Sequence, residues 1–157
     1  MSIELVRPFL AQFGREQDIL EFPVSSATVE LAAAALSVEP GRIAKTMSFA
    51  DGEGCLVVVT AGDTKIDNSK YKHTFGFKAK MLSPDQALAF TGHAVGGVCP
   101  FALPETVRIF LDESIRRFET VYPAAGSSNS AVEVTADQLE QYTGGIWVDV
   151  CKLKVEQ

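Results

Sequence analysis

Apolar and polar positions change their period several times along the chain, and each change marks an element. Ile3, Val6, Leu10 and Phe13 recur at helical spacing. Ser2 stands where a cap belongs and Gly14 where a helix stops, so residues 2–14 read as a helix that Pro8 bends. The run TVELAAAALS over 28–37 is rich in Ala and Leu and gives the strongest helix. Two apolar runs follow, Lys45 to Phe49 and Cys55 to Thr60. The turn residues Asp51-Gly52-Glu53-Gly54 separate them, which predicts a hairpin.

Residues 66–73 read as a short helix and Phe77 to Met81 as a strand. Ser83-Pro84-Asp85-Gln86 and Thr135-Ala136-Asp137-Gln138 each combine a hydroxyl cap with Gln three residues on. They open helices that stop at Gly92 and at Gly144-Gly145. Val107 to Leu111 and Ala131 to Val134 are β-rich, and Ile146 to Cys151 alternates as a last strand. Strands in hairpin-like clusters, without regular βαβ alternation, predict an α+β domain with a mixed, mostly antiparallel sheet.

The chain has 157 residues, the length of one domain, and 1–157 is read as such, without repeat or linker. Hydrophobic residues at 46% and charged residues at 22% exclude intrinsic disorder. The longest apolar runs fall far short of a membrane span. The start lacks the pattern of a signal peptide, so a cytoplasmic protein is expected. Three widely spaced cysteines and two histidines form no zinc or thiol redox motif, and neither a metal nor a cofactor is assigned.

Net charge is −6, which on its face disfavours a polyanionic partner. The distribution changes that picture. Residues 65–80 carry five lysines and one acid, a net of +4, against −10 elsewhere. This strip is either a solvated face or a local phosphate-binding patch.

Three segments are candidates for chemistry. Thr91-Gly92-His93 leads to Gly96-Gly97-Val98-Cys99-Pro100-Phe101, either a tight connector or a loop whose amides hold a developing oxyanion. Ala124-Ala125-Gly126-Ser127-Ser128-Asn129-Ser130 is a surface loop or a pocket mouth. Lys45 either snorkels to water or points into a cleft as a positive charge. No nucleophile elbow, P-loop or dinucleotide motif is present.

Taken in this order, the three segments resemble the YbaK/prolyl-tRNA synthetase-associated domain family of free-standing aminoacyl-tRNA editing proteins. The resemblance rests on Ile43-Ala44-Lys45-Thr46, on Thr91-Gly92-His93 leading to Gly96-Gly97-Val98-Cys99-Pro100-Phe101, and on Val121-Tyr122-Pro123-Ala124-Ala125-Gly126-Ser127. It implies a partly barrel-like sheet wrapped by helices, and hydrolysis of the ester in a mischarged tRNA, of tRNA(Pro) or a related tRNA. It places Lys45 and Gly97 at the reaction. Thr46, His93, Gly96, Val98, Pro100, Ala125, Gly126 and Ser127 then bind substrate. The implied partners are the 3′ acceptor end of an aminoacyl-tRNA and an aminoacyl-tRNA synthetase. No protein nucleophile is implied, and Cys99, followed by Pro, has no His–Asp pair. Ala124 and Ala125 stand where some cysteine-clearing members carry a polar residue, which argues against that branch. The alternatives are a non-catalytic tRNA- or synthetase-binding module of the same fold and a small-molecule esterase.

Overall fold

The computed structural model describes residues 3–94 and 97–154. In chain order its elements are α1 (Ile3–Ala11), β1 (Leu20–Glu21), α2 (Val29–Leu36), β2 (Ile43–Asp51), β3 (Gly54–Ala61), β4 (Thr64–Ile66), α3 (Asn68–Phe75), α4 (Pro84–Thr91), β5 (Arg108–Asp112), β6 (Tyr122–Pro123), β7 (Ser130–Ala131), α5 (Ala136–Thr143), β8 (Ile146–Val148) and β9 (Cys151–Leu153).

The helix ends follow local chemistry. Thr28 Oγ1 accepts from the Leu31 amide and caps α2. Ser83 and Thr135 each close a full capping box, and Gly92 and Gly144 end α4 and α5 in the left-handed conformation. Asp67 caps α3 by accepting from the amides of Ser69 and Lys70. The cap expected at Ser2 lies outside the described residues. Helix α1 tolerates Pro8, which is exposed, and ends three residues later.

The central sheet is curled into half a barrel, with strand order β6-β2-β3-β5-β8. The expected hairpin is present: β2 and β3 align antiparallel over eight residue pairs, from Ala44 with Ala61 to Asp51 with Gly54. The other three joints, β2–β6, β3–β5 and β5–β8, are parallel and align two, four and three pairs. Two small antiparallel sheets, β1–β7 and β4–β9, flank it. The fold is therefore α+β with a mixed sheet, as expected, and its parallel joints are short.

Strand β3 is the spine. Leu56, Val57, Val58 and Val59 are all fully buried because both faces of the sheet are covered. On one face Val59 joins a core of α1, α5 and the 99–101 segment, through Leu10, Leu139 and Phe101. On the other, Leu56 and Val58 pack with Phe49, Tyr71 and Phe110.

Three expected strands differ. Of residues 131–134 only Ala131 lies in a strand, β7, and Val134 makes one bridge, with Val121. Residues 77–81 form no strand. They run beside β2 with one bridge, Phe49 with Met81, framed by Ala50 N–H→Lys80 O at 2.8 Å and Leu82 N–H→Ser48 O at 3.2 Å. Residues 146–151 are divided at Asp149 and Val150. There the Val150 amide turns inward to donate to the buried Asp112 carboxylate at 2.8 Å, so β8 stays in the main sheet and β9 leaves to pair with β4. Among the described residues no helix is long and apolar enough to cross a membrane.

Candidate active site at the outer edge of strand β2

A cavity of about 340 Å³ opens beside β2. Six consecutive residues, Ile43 to Ser48, line it. Neighbouring residues of a strand face opposite sides of the sheet. A cavity that touches all six therefore lies against the strand's edge. The first turn of α2 with Ser26 and Ala27, the ends of β6 and β7, Met81 and Val98 form its other walls. Its volume is within the usual range for small-ligand sites.

Lys45 is half-buried on the cavity wall, and its ammonium donates to the Thr64 carbonyl at 2.8 Å. Burial, followed by the like charge of Lys154, lowers its pKa below the ordinary lysine value. One of three ammonium hydrogens is used, so two remain for a ligand. The N-terminal turn of α2 adds the positive end of a helix dipole on the facing wall. Thr46 also lines the cavity, and its buried Oγ1 has no hydrogen-bond partner.

Val98 is the loop residue that reaches the cavity. Gly97 sits behind it, against the 126–127 backbone. A Cβ there would lie 3.0 Å from the Ser127 Cα and 3.1 Å from the Gly126 carbonyl group. Glycine is required at that joint by the close approach of two backbones. The Gly97 amide donates to Ala94 O at 2.9 Å, so it is already engaged, contrary to its expected place as an oxyanion donor. Gly96 lies outside the described residues.

Other expected binding residues support the walls without lining this cavity. Ala125 is fully buried in the core and Gly126 adopts φ +98°. The Ser127 hydroxyl lies 2.7 Å from Ser130 Oγ and 2.9 Å from Asn129 Oδ1, holding the turn that brings Ser130 to the cavity. Pro100 is buried and faces a different depression, shared with Phe9 and Tyr142.

His93 is fully buried in the core. Its Nε2 lies 2.8 Å from the Phe101 carbonyl, which only accepts, so Nε2 carries the proton and Nδ1 is left without a partner. Burial lowers its pKa, so the ring is neutral. Cys99 Sγ is 3.5 Å from that Nε2, and burial pushes its thiol up to about 12. His93 and Cys99 brace the loop from behind.

Sequence reasoning missed Ser26 to Val29 and Met81, whereas Tyr122 and Ser130 lie in segments it singled out without assigning either residue a role. The only local signal was the cap at Thr28, which marks a helix start and says nothing of what the helix faces.

The basic strip is split. Lys70 is taken by Asp149 at 3.0 Å and by the Cys151 carbonyl at 2.9 Å. Lys65 stands directly opposite Lys152 across β4 and β9. Both are exposed, and among the described residues neither forms an ion pair. Lys154 follows β9 and acts on Lys45 as a like charge.

Comparison with known proteins places the chain in a family. The aminoacyl-tRNA editing domain model matches residues 24–142. The Bacillus subtilis (strain 168) protein YwhH is 51% identical over 154 residues, 97% of this chain and 98% of that one. Proline–tRNA ligase of Leuconostoc citreum (strain KM20) is 35% identical over 103 residues, covering 64% of this chain and 18% of the ligase. A crystal structure described as that of a proposed trans-editing enzyme for prolyl-tRNA synthetase superposes with a TM-score of 0.87 at 26% identity, over 96% of this chain and 97% of that one. This chain belongs to the aminoacyl-tRNA editing domain family.

Proposed function

We propose that the protein, acting as one editing unit over 1–157, hydrolyses the ester of a mischarged tRNA in trans, with tRNA(Pro) the first candidate. The observation that carries this reading is that Lys45 and Val98, from segments more than fifty residues apart, wall the same small cavity. A water oxygen adds to the ester carbonyl carbon. The acyl C–O bond to the ribose then breaks, the ribose oxygen takes a proton, and the amino acid leaves as a carboxylate with release of the second proton.

The ester is already activated, so positioning and stabilisation of the developing negative charge supply the acceleration. Lys45 and the α2 N-terminus provide the positive field in a site partly shielded from water. The Cys99 thiol is buried away from the cavity, and no histidine lines it, which supports attack by water. The lysines at 65, 152 and 154 are suited to the backbone phosphates of the acceptor stem.

Deacylation of tRNA(Pro) charged with Ala, Cys or Ser, by wild type and by Lys45→Ala, tests the reading. Turnover that is lost in the variant supports it. No turnover on any charged tRNA, or full turnover by Lys45→Ala, overturns it. The acidic remainder of the chain, net −10, favours a second reading, a tRNA- or synthetase-binding module without catalysis. Charged tRNA that binds with an unchanged ester lifetime would select it.

A further inference from the structure

The outer edge of β2 is interrupted, and the interruption coincides with the cavity. At one end β6 pairs with Ile43 and Ala44. At the other, Leu82 N–H donates to Ser48 O, and Ala50 N–H donates to Lys80 O. Residues 48 and 50 therefore turn their peptide groups outward. Alternation along a regular strand requires the same of Thr46. Among the described residues no strand or bridge covers Thr46 on that side. Its N–H and C=O point into the cavity, beside its own unpartnered Oγ1.

We infer that this uncovered Thr46 peptide edge is the subsite for the aminoacyl group, binding it as a strand would bind one facing residue. In an antiparallel pair, the N–H and C=O of one residue meet the C=O and N–H of the residue opposite. An aminoacyl ester carries that same set, an α-amino group and a carbonyl on either side of one Cα. The Thr46 N–H donates to the ester carbonyl oxygen, and the substrate amine donates to the Thr46 carbonyl. Donation from Thr46 strengthens as that oxygen gains charge, which assigns to β2 the amide role that the engaged Gly97 does not fill. A ligand with the carbonyl but a blocked amine makes half of the contact. The site thereby recognises an α-aminoacyl group, whichever side chain it bears. This inference rests on the editing reading of the same cavity.

The test uses the 15N-labelled full chain and 3′-(L-alanylamino)-3′-deoxyadenosine, whose amide link resists hydrolysis. Thr46→Pro deletes the outward N–H at an edge where proline is tolerated. An ester in place of the 45–46 peptide bond deletes it without changing the side chain. The Thr46 amide proton moves downfield on saturation, and either change weakens binding about tenfold. N-acetylation of the probe does the same.

Absence of binding, a Thr46 amide that stays still while Val98 and Met47 shift, or unchanged affinity in the folded backbone variants overturns the inference. Deacylation of alanyl-tRNA(Pro) on the same sample separates the two claims. A probe held through Thr46 without turnover removes only the hydrolytic reading. Turnover with a silent Thr46 removes only this subsite.

Discussion

The Lys45 ammonium donates to the Thr64 carbonyl at 2.8 Å, and this single bond ties the wall of the β2 cavity to the small β4–β9 sheet. A lysine side chain is long and rotamer-rich, and the tether holds its charge at one place. Burial and Lys154 disfavour the charged form, while the Thr64 oxygen accepts from it.

Replacing Lys45 with Ala removes the cation and its tether together. Deacylation is expected to fall by about 10²-fold or more, comparable to loss of one stabiliser of developing charge. Lys45→Arg keeps the charge but not the compact ammonium, and restores only part of the rate. Single-turnover kinetics on both variants, with circular dichroism to verify folding, measure this.

Gly97→Ala drives a methyl group into the 126–127 backbone at 3.0–3.1 Å. Neither neighbour is a flexible side-chain end, so the two loops must separate. A stability loss of about 1–3 kcal/mol is expected, read as a lower urea midpoint, together with weaker activity because Val98 shifts with the loop.

Lys65 and Lys152 face each other as like charges across an antiparallel pair. Lys152→Glu converts repulsion into attraction and is expected to stabilise the fold by about 0.2–1 kcal/mol. The same change is expected to weaken tRNA binding and to flatten the dependence of log affinity on log salt by about one phosphate contact. Thermal melts and salt-titrated binding measure the two opposite effects.

His93 is held neutral by burial, with its pKa below the ordinary 6.5. Above that value both folded and unfolded states are neutral at this position. As pH falls below about 6.5, the unfolded chain takes up the proton first, so stability drops until the folded-state pKa is passed. His93→Gln removes this term. The wild-type-minus-variant difference in unfolding free energy is expected to be flat above pH 7. It should decline on acidification by at most about 1.4 kcal/mol per pH unit.

Local chemistry made much of the fold legible. The capping boxes at Ser83 and Thr135, the stops at Gly92 and Gly144, and the 51–54 turn each fix an element within a few residues. Residues 77–81 and 146–151 misled because their alternation is real, but partners distant in sequence decide what it becomes. The first meets only one bridge on β2, and the second is bent by Asp112.

The site divides the same way. Lys45, Thr46 and Val98 reach the cavity, whereas His93 and Ala125 are packed in the core and Pro100 faces another depression. A motif reports which residues go together, and which of them faces the ligand depends on tertiary placement. Ser26 to Val29 carry no mark of their own, because it is the path of the chain before β2 that brings α2 over the cavity.

The gap along β2 has one more consequence. Bare peptide groups on a sheet margin ordinarily invite a neighbouring molecule to extend the ladder. Here the bare stretch is about three residues long and is closed at both ends by the chain's own backbone, with a helix leaning over it. An intruding polypeptide finds no room to lie down, so self-assembly into fibrils gains no template from this margin, while a ligand the size of one residue can still enter.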